Sequence, residues 1–427
     1  MLALAQIHKL QIHQLDVDSA FLYAPLEEEV YMKAPPDMKI KPGHCLRLLK
    51  SLYGLKQAPR NWHLHFVKFI KSLGFVQSVL DNCLFTLQKD NKLILLTLYV
   101  DDILICASDM ELLNELKAKF TENFEMKDLG EVHQYLGMQV TRENDTIKVD
   151  QSLYTKDILK RFDKLIRQNG NRKYDTPMER DLKLTKTEGR DMTIEQAEYA
   201  MKFPYQNIVG ALLYLSINTR PDISYAVGVL SRFCKTPNYR ACKALIRVLI
   251  YLRGTVDVGI TFSGSTLNLN AFSDADWAGD LDSRRSTTGY VLYAAGGPIS
   301  WQSKLQCTVA ASTMEAEYMA AFHVIQECVW VKGVLGEIGL DIDPITLYMD
   351  SKSAICLAKN PLYHKRSKHI DIKFHWIREK VLGDNPVVIL EHISTDRMDA
   401  DIFTKALEYP VFIGHAIRVT GSLDDEE

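Results

Sequence analysis

Three acidic residues in the first quarter of the chain could support metal-dependent chemistry. Asp101 and Asp102 form a pair between two apolar runs, LILLTLYV and ILICA, and Asp16 precedes them in QLDVDSAFLY. An isolated acidic pair is typical of an exposed hairpin turn, but acids between apolar strands are unfavourable unless a cation compensates their charge. Carboxylates are hard oxygen ligands for Mg²⁺, and two ions about 3.5–4 Å apart can activate an attacking hydroxyl and stabilise a departing group.

A second acidic group is spread over the last third of the chain. Asp274 lies in FSDADWAGD, Glu317 in STMEAEYMAA, Asp350 in LYMDSKSAI and Asp401 in MDADIFTKAL. Each acid alone is more typical of a surface position or a helix cap. Together they follow the order strand, helix, strand, helix, which can bring four carboxylates to one point. A two-metal nuclease needs such a set of ligands.

The hydrophobic patterns predict the elements that carry these acids. Residues 84–107 predict a meander of three strands with the acidic pair in its second turn, followed by a helix with Leu112, Leu116, Phe120 and Phe124 spaced by four. Residues 168–191 are polar and predict a loop or linker, and three helices should follow over 205–218, 222–234 and 239–253. Further on, strands are expected around 257–263, 268–275, 288–295, 298–302, 306–310, 345–349 and 386–392, with helices over 313–336 and 399–407. These elements predict an α+β or α/β fold with a mixed sheet.

Composition excludes several classes of protein. The 427 residues carry 51 Lys and Arg against 54 Asp and Glu, a net charge of −3, which argues against a purely electrostatic nucleic-acid binder. The eight cysteines contain no CxxC pair, so we expect neither disulfides nor a structural zinc site. No stretch approaches the roughly 18 apolar residues of a membrane span, and the N-terminus does not resemble a signal peptide. We therefore expect an intracellular protein, in a cytoplasmic particle or the nucleus, with no membrane partner.

Three motifs in the first half resemble the reverse transcriptase of copia-type long-terminal-repeat retrotransposons. They are QLDVDSAFLYAPLEEEVYMKAPP, SLYGLKQAPRNW and YVDDILI, in that order and at that spacing. The resemblance implies that Asp16, Asp101 and Asp102 are the metal-binding acids of the palm. It also implies substrate-binding residues, with Phe21 screening the sugar of the incoming nucleotide, Gln57 and Pro59 beneath the template–primer, and Tyr99 beside the acidic pair.

Residues of about 257–407 resemble the RNase H domain of the same retrotransposons. The resemblance implies that Asp274, Glu317, Asp350 and Asp401 bind Mg²⁺ or Mn²⁺, two ions in each active site. RNase H enzymes often carry a mobile histidine near the last acid, and His392 is the candidate by position. A structural or exposed histidine is the alternative at such a strand end.

Two further segments could contact nucleic acid in an RNase H domain. The run HKRSKHIDIKFHWIREK would place Lys365, Arg366 and Lys368 along phosphates, although a solvated start of a helix would have the same composition. Ser286, Thr287 and Thr288 could donate hydrogen bonds to phosphate, although strand propensity also explains the threonines.

The resemblance implies a reverse-transcriptase palm and thumb at 1–150, a helical thumb or connection region at 151–255, an RNase H-like domain at 256–407 and a tail at 408–427. The expected partners are an RNA template, a DNA primer and an RNA–DNA hybrid. Three departures from the family pattern stand out. Only fifteen residues precede Asp16, so we expect the fingers to be missing from this sequence. Asp18 stands where the family commonly has Lys, and Asp399 stands where it usually has an apolar residue.

These departures lead to two functional hypotheses. The first is an enzyme whose RNA-directed DNA synthesis is impaired by the missing fingers, while cleavage of RNA in RNA–DNA hybrids survives. The second is a non-catalytic relic of a retrotransposon polyprotein that binds nucleic acid weakly at most.

Overall fold

The computed structural model describes residues 1–90, 92–170, 172–360 and 371–421, and it separates into two compact units. Unit 1 contains Met1 and residues 8–136, and unit 2 contains residues 2–7 and the chain from Gly137 onward. Both units combine helices with sheets, which confirms the predicted mixed fold class. No helix within the described ranges is both long and apolar enough to cross a bilayer.

Unit 1 is built on an antiparallel sheet. Its strands are β1 (Gln11–Val17), β2 (Tyr31–Met32), β3 (Leu46–Arg47), β4 (Val76–Gln77), β5 (Leu84–Lys89), β6 (Lys92–Tyr99), β7 (Asp102–Ala107), β8 (Met126–Glu131) and β9 (Gln134–Tyr135). Its helices are α2 (Ala58–Ser72) and α3 (Met110–Asn123), and a 3₁₀ turn spans Ala20–Tyr23. The first helix of the chain, α1 (Leu2–Ile7), belongs to unit 2. Six strands form one sheet in the order β4-β5-β6-β7-β1-β8.

The helices of unit 1 bury one face against this sheet. Trp62, Phe66 and Ile70 follow one another at four-residue spacing on α2, and all three are fully buried in the core of the unit. The predicted apolar stripe of α3 is buried in the same core. Asp109 caps α3, because its Oδ1 accepts a hydrogen bond of 2.9 Å from the Leu112 amide. The predicted meander and helix are therefore confirmed.

Unit 2 contains most of the helices. They are α1, α4 (Ser152–Arg161), α5 (Asp163–Arg167), α6 (Ile194–Lys202), α7 (Tyr205–Asn218), α8 (Ser224–Ser231), α9 (Tyr239–Gly254), α10 (Thr313–Glu337), α11 (Lys352–Lys359), α12 (Asp371–Leu382) and α13 (Tyr409–Thr420). Its strands are β10 (Met138–Glu143), β11 (Thr146–Asp150), β12 (Gly259–Phe262), β13 (Asn270–Asp276), β14 (Thr287–Ala294), β15 (Gly297–Leu305), β16 (Ile345–Met349) and β17 (Val388–His392). Short 3₁₀ turns span Thr187–Arg190, Pro221–Ile223, Thr395–Arg397 and Asp399–Phe403.

The main sheet of unit 2 has the order β15-β14-β13-β16-β17. The first three strands pair antiparallel, whereas β16 and β17 are parallel to β13. The long helix α10 packs against β13 and β14. This arrangement brings the end of β13, the end of β16 and the start of α10 to one edge of the sheet.

One strand prediction in this region was wrong. The strand predicted at 257–263 is confirmed as β12, which pairs with β11 and does not join the main sheet. The strand predicted at 298–302 lies within β15, which pairs with β14 along its length, whereas residues 306–310, also predicted as a strand, form none because β15 ends at Leu305. Alternating polar and apolar residues do not reveal which partner a strand takes, because pairing depends on contacts distant in sequence.

The helical region 151–255 and the RNase H-like region share one hydrophobic core. Buried side chains of α7, α8 and α9 pack together with Val291 of β14, with Ile402 and with Phe412 of α13. Trp301 Nε1 on β15 also donates a hydrogen bond of 2.8 Å to the Ser216 carbonyl on α7. The structure therefore differs from the predicted boundaries, because everything from Gly137 onward forms one unit.

The segment predicted as a loop or linker is held at several of its described residues. The Lys186 amide donates hydrogen bonds of 3.1 and 3.0 Å to the Asp282 carboxylate, and Asn238 Nδ2 donates to the Thr185 carbonyl at 3.0 Å. Arg180 also forms an ion pair with Glu408. Its polar composition thus reflects contacts with other elements of unit 2.

The predicted tail at 408–427 was wrong for most of its length. Residues 409–420 form α13, whose Phe412, Ala416 and Val419 are buried in the core of unit 2. These three residues lie on one face of the helix because their spacings are four and three. A tail would leave that apolar stripe in water, so burying it favours the helix.

Candidate active sites

The first acidic cluster lies where β1 and β7 pair in unit 1. The register of this antiparallel pair sets Asp16 directly opposite Asp102. The Val17 amide donates a hydrogen bond of 2.9 Å to the Asp101 carbonyl, which extends the pairing into the turn. The backbone therefore brings all three predicted palm acids to the same end of the sheet.

The turn that presents Asp101 has an unusual backbone. Tyr99 pairs with Asp102, so Val100 and Asp101 form a two-residue turn, and Val100 has a φ of 57°. A β-branched residue in this left-handed region costs on the order of 1–3 kcal/mol. Trp62 Nε1 donates a hydrogen bond of 2.5 Å to the Val100 carbonyl and fixes the turn from α2. The buried Trp62 therefore helps to position the acidic pair.

The three acids of the first cluster are half-buried and interact electrostatically. Burial raises the pKa of Asp102, the hydrogen bond of 3.1 Å from Gln14 Nε2 opposes this rise, and the charges of Asp101 and Asp16 add to it. Their ligand oxygens do not all come within 4.8 Å of one another, a distance that three acids of the second cluster do meet. The first cluster is thus brought together by the strands, but more loosely than the second.

A tyrosine that the sequence analysis did not single out lies beside this cluster. Tyr53 packs against Phe21 with ring centroids 4.5 Å apart, and Phe21 itself is buried. Burial raises the pKa of Tyr53, and the negative charges of Asp101 and Asp16 also raise it. Tyr53 belongs to the SLYGLKQAPR motif, so the motif contained a signal for it.

The other predicted substrate-binding residues of unit 1 lie at its surface or at the start of α2. Tyr99 is exposed, Gln57 immediately precedes α2, and Pro59 occupies its first turn, where proline is favoured. The unusual Asp18 forms an ion pair of 2.7 Å with Lys127 on β8. A cation from another strand therefore neutralises the charge of Asp18.

The second acidic cluster is tighter. Asp274 lies near the end of β13, Glu317 lies in the first turns of α10, and Asp350 immediately follows β16. One carboxylate oxygen from each of these acids lies within 4.8 Å of the others, and among the described residues this is the group that could hold a metal ion by that criterion. Asp274 and Glu317 are buried and Asp350 is half-buried.

Asp401 faces the same cluster from the 3₁₀ turn at Asp399–Phe403. Burial raises the pKa of Asp401 to about 7, and the charge of Asp274 adds to the rise, whereas Lys405 opposes it. Thr404, three residues later, donates its hydroxyl to Asp274 Oδ2. The four acids predicted from the sequence therefore share one site.

Glu317 is the most strongly perturbed acid of the second cluster. Burial raises its pKa to about 10, and the charges of Asp274 and Asp350 act in the same direction. Its Oε1 accepts a hydrogen bond of 3.3 Å from the Ala275 amide. Its Oε2 is buried with no hydrogen-bond partner in the described structure. Glu317 is thus oriented toward Asp274 and retains a free oxygen.

A glycine permits the close approach of the turn that carries Asp401. Gly289 on β14 pairs with Asp274, and a Cβ atom at this position would lie 2.6 Å from Thr404 Cγ2 and 2.8 Å from the Ala400 carbonyl oxygen. These distances are too short for any side chain. Gly289 therefore lets the turn pack directly over the strand pair next to Asp274.

Asp399, the acid that stands where the family usually has an apolar residue, does not face solvent. It is buried and its Oδ1 accepts a hydrogen bond of 2.6 Å from Arg418 Nε, with His415 Nδ1 at 3.2 Å. The Tyr293 hydroxyl donates to its Oδ2 at 3.2 Å. Asp399 thus points away from the cluster, toward α13 and β14, and Asp401 supplies the carboxylate on the cluster side.

His392 lies at the exposed end of β17, opposite Met349 in the register. Because Met349 directly precedes Asp350, this register brings the His392 backbone to the edge of the site. The Asp350 carboxylate itself accepts a hydrogen bond of 3.0 Å from Thr395, a residue that the sequence analysis missed.

Two predicted contact regions have different outcomes. Lys365, Arg366 and Lys368 lie outside the described residues. The side chains of residues 286–288 are buried and bonded within the protein, which contradicts their predicted role as phosphate donors. For example, Thr288 Oγ1 accepts a hydrogen bond of 3.0 Å from Gln306 Nε2. Packing of β14 against α10 explains why these polar residues lie inside.

The second cluster fits a divalent cation by the chemistry of its donors. Hard cations such as Mg²⁺ bind carboxylate oxygens, and the cluster gathers carboxylates from four elements. Two oxygens, Glu317 Oε2 and Asp401 Oδ1, are buried with no hydrogen-bond partner among the described residues. Buried polar atoms normally have a partner, so these two oxygens are suited to a ligand.

The first testable prediction concerns Gly289. Gly289→Ala should lower the melting temperature of the protein, because the added methyl group forces the Asp401 turn away at an overpacking cost of about 1–3 kcal/mol. The matched control is Gly210→Ala on α7, where no atom lies within 4 Å of the new methyl and alanine favours the helix. A Gly289→Ala protein as stable as the control would contradict the close approach.

The second prediction concerns pH. Because the folded-state pKa of Glu317, about 10, exceeds its ordinary value of 4.5, its contribution to stability is complete at acid pH and lost as pH rises toward 10. In EDTA, Glu317→Gln should therefore be increasingly more stable than the original chain from pH 5 to pH 9. Thermal denaturation at several pH values measures this difference. Exposed Glu391, changed to Gln, should show no such trend.

Two solved structures are similar to this chain in part. A foamy viral protease-reverse transcriptase in complex with dsDNA aligns over 92% of this chain and 70% of its own, with 14% identity and a TM-score of 0.48. The RNase H1 LC11 aligns over 33% of this chain and 94% of its own, with 15% identity and a TM-score of 0.26.

Sequence relatives are much more similar. The retrovirus-related Pol polyprotein from transposon TNT 1-94 of Nicotiana tabacum is 43% identical over 412 residues, which are 95% of this chain and 30% of the polyprotein. The polyprotein from transposon RE1 of Arabidopsis thaliana is 40% identical over 412 residues, 96% of this chain and 27% of its own length. This chain thus spans less than a third of these polyproteins.

A shorter relative is matched completely. The putative transposon Ty5-1 protein of Saccharomyces cerevisiae is 33% identical over 320 residues, which cover 73% of this chain and 100% of that protein. The reverse transcriptase (RNA-dependent DNA polymerase) family matches residues 1–180. The chain therefore belongs to the retrovirus-related Pol polyproteins of copia-type retrotransposons.

Proposed function

We propose that unit 2 is a ribonuclease H that cleaves the RNA strand of RNA–DNA hybrids. The observation that carries this proposal is the convergence of Asp274, Glu317 and Asp350 within 4.8 Å, with Asp401 facing Asp274. Hydrolysis of a phosphodiester needs charge stabilisation at an attacking water and at a leaving oxygen, and such an acidic group holds the ions that provide it. Membership of the Pol family supports the same activity.

The four acids would hold two Mg²⁺ or Mn²⁺ ions. When bound, these ions activate water and stabilise the charge on the departing 3′ oxygen. The remaining groups of the site orient the acids. The Thr404 hydroxyl holds Asp274, the Ala275 amide holds Glu317, and Thr395 holds Asp350. Each of these hydrogen bonds limits the rotation of a carboxylate, so that the ligands are largely preorganised before the ions bind.

Selection of the hybrid would depend on its shape and on the RNA 2′-hydroxyl group, and base identity would not be read. Lys365, Arg366 and Lys368 are the proposed contacts to phosphates, since basic side chains bind the phosphate backbone of nucleic acids. His392 is proposed to assist product release, because its strand position lies next to Asp350. Both assignments stay predictions.

The first cluster supports a second candidate function, RNA-directed DNA synthesis. The observation that favours it is the register that sets Asp16 opposite Asp102, with Asp101 in the adjoining turn. In this proposal the three acids bind two Mg²⁺ or Mn²⁺ ions, and an RNA template and DNA primer are the partners. Phe21 would screen the sugar of the incoming nucleotide, while Gln57, Pro59 and Tyr99 would contact the template–primer.

The alternative is a non-catalytic relic that retains the fold and binds nucleic acid weakly. In a relic, mutations would be expected to remove first the features that lower the stability of the fold. A buried acidic cluster is such a feature, because its charges repel one another. All four acids of the second cluster are retained, as are the hydroxyl groups that orient them. Retention of costly residues favours the enzyme over the relic.

The third prediction tests the nuclease. The chain should cut the RNA strand of a labelled RNA–DNA hybrid in the presence of Mg²⁺ or Mn²⁺ and should leave duplex DNA intact. Asp350→Asn, which is nearly isosteric but lacks the negative charge, should reduce the rate by about 100-fold or more, because several kcal/mol of transition-state stabilisation depend on the bound ions. Product formation on denaturing gels measures the rate.

The control for this assay is Asp343→Asn, which changes an exposed acid of the same unit ahead of β16. It should cut hybrid at the original rate. A folded chain that fails to cut hybrid with either ion, or equal cutting by the Asp350→Asn protein, would overturn the proposal and favour the relic.

The fourth prediction separates the two candidate functions. If the chain extends a DNA primer on an RNA template, Asp101→Asn should abolish extension while hybrid cleavage continues, because Asp101 belongs to the first cluster alone. Asp350→Asn should have the opposite effect. Parallel primer-extension and cleavage assays on both variants provide the measurement. Loss of both activities in either variant would argue against two independent active sites.

A further inference from the structure

One basic side chain lies directly against the second acidic cluster. Lys405 is four residues after Asp401, and its amide donates a hydrogen bond of 3.2 Å to the Asp401 carbonyl, which folds the segment back on itself. This geometry brings Lys405 Nζ to 2.9 Å from Asp401 Oδ2. The side chain of Asp401 is 5% exposed and that of Lys405 is 39% exposed, so the ion pair spans the boundary between the buried site and solvent.

The charge of Lys405 interacts with three of the four acids. Burial alone would lower the pKa of Lys405, but the charges of Asp274, Asp401 and Asp350 outweigh burial and raise it. Within the described part of the chain, no other Lys, Arg or His lies at ion-pair distance from any of the four acids. Lys405 is thus the nearest compensation for several negative charges in one place.

A lysine at this position competes with a divalent cation. One oxygen of Asp401 contacts the ammonium group, whereas Oδ1 has no hydrogen-bond partner in the described structure. Two cations attracted to the same carboxylate repel each other, so binding of one weakens binding of the other. Because Lys405 is partly exposed on a flexible stem, its ammonium group can move into water when a metal ion arrives.

We propose that Lys405 is an internal counter-ion of the nuclease site, which stabilises the acidic cluster before metal binds and lowers the affinity of the site for divalent cations. The inference rests on the proposed nuclease function, since it assumes that the four acids bind metal. Lys405 acts through Asp401 and is therefore a positioning residue. The consequence is that metal binding is coupled to release of the Lys405–Asp401 ion pair.

The experiment measures metal binding by the full chain without nucleic acid. All proteins carry Asp101→Asn, so that the first cluster contributes less to the signal, and Mn²⁺ is titrated by isothermal calorimetry. Lys405→Met should bind Mn²⁺ about three- to tenfold more tightly, the range expected when a partly exposed opposing charge is removed. Lys405→Arg keeps the charge and should bind with nearly the original affinity.

Thermal denaturation gives an independent readout. In EDTA, Lys405→Met should melt at a lower temperature, because the acids lose their counter-ion. In saturating Mn²⁺ this deficit should shrink, because the metal replaces the missing charge. A residue with a merely structural role would lower the melting temperature equally in both conditions and would not tighten metal binding. If Lys405→Met does not fold, Lys405→Gln, which retains a polar side chain, is measured in the same way.

Two control variants distinguish failure of the counter-ion proposal from failure of the nuclease proposal. Lys352→Met removes an exposed cation two residues after Asp350, outside ion-pair distance, and should leave metal affinity within about twofold of the original, because solvent screens exposed charges. Asp350→Asn should lose the Mn²⁺ signal. The counter-ion proposal is overturned if Lys405→Met binds Mn²⁺ with unchanged or lower affinity while Asp350→Asn loses binding as expected. The nuclease proposal would stand in that case. If Asp350→Asn binds like the original, the nuclease proposal itself fails, and the counter-ion with it.

Discussion

Mutual repulsion of four carboxylates is the constraint around which unit 2 is organised. Asp274, Glu317 and Asp350 lie within 4.8 Å, and burial strengthens their repulsion because little water screens it. The acids cannot move apart, since β13 and β16 pair in parallel and both α10 and the turn that carries Asp401 pack against β13. The free energy that holds them together therefore comes from packing elsewhere in the unit. The repulsion between the carboxylates is offset locally by Thr404, Thr395 and Lys405.

The two clusters meet the same constraint in different ways. In unit 1 the acids are half-buried, and the strained turn at Val100 and the hydrogen bond from Trp62 set their direction. Their oxygens stay farther apart, so solvent can screen part of the repulsion. In unit 2 the acids are more deeply buried. Burial, together with the charges of the neighbouring acids, raises the pKa of Glu317 to about 10. A cation would thus change the energetics of the second cluster more than those of the first.

Local patterns predicted the elements that carry the acids, but not the contacts that orient them. Strand and helix periods gave the meander of unit 1 and the long helix α10, because these patterns depend on neighbours close in sequence. The partner of β12, the folding of 409–420 into α13 and the role of Gly289 depend on residues distant in the chain. Polar residues were the hardest to interpret. The sequence around Thr288 is compatible both with an exposed residue that donates to phosphate, as predicted, and with the buried strand residue that is observed.

Asp399 illustrates how a departure from a family pattern can be accommodated. An acid in place of an apolar residue, two positions from Asp401, would be expected to disturb the site by adding a charge. The structure instead pairs it with Arg418 on α13, while the Tyr293 hydroxyl binds its other oxygen. Removing either partner of such a pair would leave a buried charge without compensation, which is costly. The substitution is therefore tolerated only while α13 stays packed, and in this chain the C-terminal helix supports the turn that presents Asp401.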